Sequence, residues 1–227
     1  MQHRRMLPSL FIIGCLTGAV PLVSQDVSIC HTIPVPPVGS WVTYHSTGGY
    51  NDGEKTRLAI TGSERHGDST YYWFEAKQEG GKREQEGPQI YQMLISGLFS
   101  QISVHAIVVK QGQKPAQRAP DAFVAMMAPH AAQGATSALE KACRDAKVVG
   151  VETVQVPGGS FRATHFKGTD GGEGWVTRDL PFAMVKFVSR GGEVTELTGR
   201  GTGAKSSITE TPQPMTIPGM APAKPSH

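Results

Sequence analysis

The sequence predicts a mainly β protein of the α+β kind: a curved antiparallel sheet, or incomplete β-barrel, with two or three short helices on its concave side. Three observations predict it. Runs of β-branched and aromatic residues recur along the chain, each bounded by turn residues such as Asn51-Asp52-Gly53, His66-Gly67-Asp68 and Pro157-Gly158-Gly159. From Val149 to Gly199 such runs follow one another at regular spacing, the pattern of an antiparallel meander. Between the two strand-rich halves, Ala122 to Ala132 carries Ala, Met and Phe at helical spacing, and Thr136 to Ala146 reads as a second short helix whose Ser137-Ala138-Leu139-Glu140 resembles a capped start.

The elements follow in order. Met1-Gln2-His3-Arg4-Arg5 is a basic start, and an apolar run from Met6 to Val23 follows, broken by Pro8 and Pro21. The run is too broken for a membrane span, and its favoured reading is a signal peptide, residues 1–24, cut after Ser24, with Leu22 an imperfect fit to the cleavage rule. The alternative is lipidation at Cys15, because Ile12-Ile13-Gly14-Cys15 loosely matches a lipobox. Residues 25–38 form an extended lead-in with Pro34, Pro36 and Pro37. A single β-rich domain is expected over 39–202, and a disordered Pro-rich tail over 203–227, where large apolar groups are too few to offset ordering entropy.

Within the domain, Gly39-Ser40-Trp41-Val42-Thr43-Tyr44 starts the first strand, with Trp41, Thr43 and His45 on one face and Val42 and Tyr44 on the other. Thr56 to Gly62 and the aromatic Thr70 to Ala76 are the next strands, the latter covered on both sides. Gln89 to Leu98 fits helical spacing through Ile90, Met93, Leu94 and Leu98. Ile102 to Lys110 is a strand, the two helical segments follow, with Pro129 ending or kinking the first, and Val149 to Val156, Ser160 to Phe166, Trp175 to Arg178, Met184 to Ser189 and Glu193 to Thr198 complete the meander.

Chain-wide properties narrow the function. The formal net charge of +3 includes two arginines of the leader, so the mature chain is near neutral, which argues against a nucleic acid partner. Of three cysteines, Cys15 lies in the leader. In an oxidising compartment Cys30 and Cys143 favour a disulfide that closes a long loop, worth about 4 kcal/mol in the chain-entropy model. The alternative is two separate thiols.

No catalytic or metal motif survives inspection. Gly199-Arg200-Gly201-Thr202-Gly203-Ala204-Lys205-Ser206 approaches a phosphate-binding loop, but Ala204 stands where glycine is needed and no helix is expected after it. Ser160, His165 and Asp170 are close in sequence, yet a strand sends Ser160 and His165 to opposite faces. His31, His45, His66, His105, His130 and His165 stand singly, and Asp170 and Glu173 lack the alternating carboxylates of a calcium loop, so neither a metal nor another cofactor is expected. His45 and His165 are the two that could meet across the sheet. No enzyme is expected. The aromatic residues fill a core or line an apolar cavity; Trp41, Tyr72, Phe74, Phe161 and Trp175 are the candidate lining, with Met93, Met126 and Met127 as an adaptable lid.

Val149-Gly150-Val151-Glu152-Thr153-Val154-Gln155-Val156-Pro157-Gly158-Gly159-Ser160-Phe161 resembles bacterial envelope proteins in which a strand, a Pro-(Ala/Gly)-Gly turn and Thr/Ser-Phe precede a Trp-containing strand. Trp175-Val176, Pro181 and Val185-Lys186 sit where that pattern expects them, and Gly39 to Tyr44 and Tyr71-Tyr72-Trp73-Phe74-Glu75 look like its opening strands. Those proteins are similar to the LolA-like lipoprotein carriers. The resemblance implies an incomplete antiparallel barrel closed by helices, and apolar ligand binding; no carrier binding residue maps here by motif. The expectation is therefore an exported, noncatalytic envelope protein, periplasmic or secreted, or lipid-anchored through Cys15. Its candidate partners are a lipid or other apolar ligand and an envelope protein. The alternative is a structural or protein-interaction module.

Overall fold

A computed structural model describes residues 33–98, 102–127 and 145–218. Twelve strands form one sheet in the order β12-β6-β5-β4-β3-β2-β1-β11-β10-β9-β8-β7. They are β1 Trp41–Thr47, β2 Glu54–His66, β3 Ser69–Gly80, β4 Gln89–Ser96, β5 Ser103–Gln111, β6 Gln117–Arg118, β7 Lys147–Val156, β8 Gly159–Lys167, β9 Glu173–Val176, β10 Met184–Val188, β11 Val194–Gly201 and β12 Gln213–Pro214. Every pairing is antiparallel except β12 with β6.

Two meanders, β1 to β5 and β7 to β11, meet where β1 pairs with β11. The joint explains the glycines of β11. The Trp41 ring lies over Gly199 and Gly201, and a Cβ on Gly201 would stand 2.8 Å from the ring. The Trp41 indole also donates to the Thr202 carbonyl at 3.2 Å and is faced by the Arg57 guanidinium at 5.8 Å.

One apolar core occupies the inner face. Val42 and Tyr44 of β1, Ile60 of β2, Ile95 of β4, Val104 of β5, Phe161 and Ala163 of β8 and Leu197 of β11 are buried in it. Tyr72, Phe74 and Met93 pack against it from β3 and β4. Registered pairs explain why: Ile60, Phe74, Met93 and Ile107 lie side by side across four strands, and such neighbours share a face.

Three expectations are corrected. Gln89 to Leu98 is not helical; residues 89–96 form β4, flanked by β3 and β5. Ile90, Gln92 and Leu94 are buried on one face and Ile95 on the other, so a strand covered on both sides imitated helical spacing. Two or three helices are not found either. Among the described residues a single α-helical run, 121–127, puts Val124 into the core, beside one 3-10 turn at Gly81–Glu86. The second helical segment, up to residue 144, lies outside the described residues. Finally, the segment after Gly203, expected to be disordered, lies on the sheet through residue 218.

That segment forms a strap across the outer face. Ala204 donates its N–H to the Gly39 carbonyl at 2.9 Å, Ile208 is buried with Ile90, Val108 and Ala116, and Gln213 donates to the Ala116 carbonyl at 2.8 Å as β12 joins the edge. Among the described residues no helix is long and apolar enough to cross a membrane.

Candidate functional site

The candidate site is a cleft between the lead-in and the loop joining β9 to β10. Its volume is about 440 Å³, and Ile33 to Pro37 form one wall while Arg178 to Pro181 and Ala183 form the other. Three prolines hold the first wall extended, since each fixes φ and removes a donor. Its end is pinned: Gly39 donates to the Ile60 carbonyl at 2.7 Å and Ser40 to the Pro37 carbonyl at 3.0 Å.

The second wall is a tightly tied loop. Thr177 donates its N–H to the Ala183 carbonyl at 2.8 Å, and Ala183 donates to the Leu180 carbonyl at 3.1 Å. The turn forces Ala183 to φ 61°, the one positive φ outside glycine among the described residues. A side chain there costs of order 1–3 kcal/mol. The cost is offset by two anchors. Leu180 and Phe182 are buried in the inner core, and the Phe182 ring meets Phe74 edge-on with centroids 5.8 Å apart. Tyr44 supports the loop's exit by donating its hydroxyl to the Met184 carbonyl at 3.1 Å, and burial pushes its phenol pKa well above the ordinary value. The cleft floor is thus continuous with the core, because Leu180 and Val35 belong to both. Among the described residues of its lining, Arg178 and Asp179 are the ionic ones.

The expected lining residues separate. Tyr72, Phe74 and Phe161 converge on the inner core, and Phe161 is faced by the Arg200 guanidinium at 4.7 Å. Trp41 does not join them; it is on the outer face, over the glycines of β11. Trp175 touches the core from a polar row. Its ring stacks on His165 at 4.2 Å, its indole donates to Glu152 at 2.5 Å, and the Lys186 ammonium faces it at 5.8 Å. The expected lid divides too: Met93 is a core residue of β4, whereas Met126 on the helical run is half exposed. Cys15, Cys30 and Cys143 lie outside the described residues.

The polar groups considered for chemistry have structural partners. His165 sits between Glu152 at 3.2 Å and Glu173 at 3.1 Å, and not beside Ser160 or Asp170. The Lys167 ammonium, and then His165, hold the Glu173 carboxyl below its ordinary pKa. Asp170 accepts the Gly172 N–H at 2.9 Å and closes its own turn. His45 and His165 share a cross-strand row, but Glu196, Lys186 and Trp175 stand between them. At the other end of the sheet, Tyr71 is stacked between His66 at 4.6 Å and His105 at 3.9 Å, and burial, then His66, lower the His105 pKa. Among the described residues no group of three or more His, Cys, Asp or Glu side chains is arranged to hold a metal. Ser206, the end of the phosphate-loop-like stretch, and Ser207 after it enter the strap instead of a helix.

Sequence reasoning missed Glu75. Its side chain is fully buried on the outer face beneath the strap. It accepts from the Ser207 N–H at 2.9 Å, the Ser207 hydroxyl at 2.7 Å and the Gln92 amide at 2.8 Å, with the Arg57 guanidinium at 3.7 Å. The signal was an acidic residue inside an aromatic strand read as covered on both sides, since a buried carboxylate requires partners.

Comparison with known proteins adds no family. No protein-family model matches the chain, and no curated protein matches it. Solved structures with a related arrangement include MucB in its complex with MucA(peri), 14% identical over 82% of this chain, with TM-score 0.43. This chain spans 58% of that one. A protein assigned as exported, with a YmcC-like fold, from Bacteroides fragilis is 10% identical over 74% of this chain and 97% of its own, with TM-score 0.34. A protein assigned as a lipoprotein from Parabacteroides distasonis is 6% identical over 73% and 96%, with TM-score 0.36. With TM-scores below 0.5, no residue role or activity is transferred from them.

Proposed function

We infer that the chain is an exported, noncatalytic envelope protein, and that it binds an apolar ligand, a lipid or acyl chain, in the cleft beside the lead-in. The observation that carries this reading is the cleft itself. Its volume of about 440 Å³ lies within the range of small-molecule sites, its walls are mostly apolar, and its floor opens on the aromatic core. A strained loop anchored by Leu180 and Phe182 holds the far wall in place before any ligand arrives. Export rests on the leader pattern of residues 1–24, and the LolA-like motifs support the same role.

Native mass spectrometry of protein taken from a bacterial periplasm, with solvent extraction, tests it. The expected result is a defined lipid adduct, or one formed on challenge with a long-chain fatty acid, that Ile33→Asp reduces at least tenfold with the fold intact. Apo mass throughout, or an adduct indifferent to Ile33→Asp, refutes binding in this cleft.

A further inference from the structure

The two edges of the sheet are unlike. One ends on β12, two residues long and carrying Pro214, which has no N–H to give a further strand. The other ends on β7, ten residues with no proline, which among the described residues pairs only with β8. Val149 and Val151 of β7 are among the large apolar side chains most exposed, at 52% and 40%. A bulge at residue 149 bends the start of the strand, and residues 150–156 then run in regular register with β8.

We propose that β7 is a self-association edge, and that its partner is β7 of a second copy of this chain, paired antiparallel across a two-fold axis. The regular stretch suits its own reversed copy. About Thr153, Val151 falls opposite Gln155, Gly150 opposite Val156, and Thr153 opposite itself, a cross-strand threonine pair that favours pairing. The one charge in this stretch, Glu152, falls opposite Val154 and not its own copy, so the pairing sets no like charges against each other. Seven residues extend about 24 Å, long enough for a stable strand contact. A two-fold contact is self-complementary and closes on itself. With β12 ending each outer edge on a proline, assembly stops at two copies and does not grow into a fibre.

Sedimentation equilibrium on the full chain, from 1 to about 100 μM, tests the proposal. The expected result is a monomer–dimer equilibrium without larger species. Thr153→Lys sets two ammonium groups against each other at the axis and weakens the dimer at least tenfold, and Val151→Lys weakens it similarly; far-UV circular dichroism must show the sheet retained. Tyr91→Lys, an exposed site on interior strand β4, leaves the dimer unchanged. A monomer at every concentration overturns the proposal, and so does a dimer insensitive to both β7 lysines. Open-ended polymers overturn the closure of the opposite edge.

Discussion

Replacing Glu75 by alanine removes the carboxylate on which the outer face closes. Three protein donors point at it: the Ser207 N–H, the Ser207 hydroxyl and the Gln92 amide. The Gln92 amide retains a bond to the Ser206 hydroxyl at 2.6 Å, and the Ser207 hydroxyl can rotate, so the Ser207 N–H bears most of the loss. A buried donor left without a partner costs about 1–3 kcal/mol, and removing one partner of a buried ionic group costs about 3–5 kcal/mol. The Arg57 side chain reaches solvent, which favours the lower part of that range. Glu75→Ala is therefore expected to lower the unfolding free energy by about 3 kcal/mol, measured by urea denaturation. Glu75→Gln keeps one acceptor and should fall between the two. The strap should also loosen first, so limited proteolysis within residues 205–212 should precede cleavage elsewhere. A loss below about 1 kcal/mol with the strap equally protected would refute the view that Glu75 anchors it.

Three further predictions test other parts of the structure. Ala183→Gly relieves the positive φ at 61° and should raise stability by about 1 kcal/mol in the same denaturation, a gain that a strain-free loop would not show. Gly201→Ala drives a methyl group into the Trp41 ring and should cost about 1–3 kcal/mol with a shift in tryptophan emission; an unchanged spectrum and stability would mean the ring is not held there. Acid should release the end of the strap. The Lys110 ammonium, at 2.5 Å, holds the Glu210 carboxyl down to about 2 from its ordinary 4.5. A carboxylate with a depressed folded pKa stabilises fully above its unfolded value and loses that contribution as pH falls through the folded one. Hydrogen-exchange protection factors at residues 208–215, which correct for the intrinsic exchange rate at each pH, should therefore fall between pH 4.5 and about 2, and Glu210→Gln should remove that dependence.

Much of the meander was legible because its signals are local. Asn51-Asp52-Gly53 and Pro157-Gly158-Gly159 mark turns in whatever they adjoin, and the runs between them have the composition of strands. Alternation also placed Trp41 opposite Val42 and Tyr44. What it did not convey is that the glycines of β11, remote in sequence, make room for the indole on the outer face. β4 was misread because both its faces are covered, which erases the period of two. The strap was missed because its attachment is tertiary: one isoleucine and a few polar groups find partners on four different strands, β3 to β6, and none of this shows in a Pro- and Ser-rich composition. The cleft was half legible, since the prolines announced an extended wall, but nothing local showed which loop would face it.

The strap also bears on the order of assembly. β1 is flanked by β2 and β11, and the apolar patch around Ile90 is completed by Ile208. The first strand of the domain therefore waits for a neighbour about 150 residues later, and the outer face waits for the last part of the chain to emerge. Such distant pairings slow folding, because the loops they close must be ordered before the contacts reward it. A nascent chain shorter than about 210 residues has no means of sealing Glu75 away from water. Its outer face stays open until the last segment has been made.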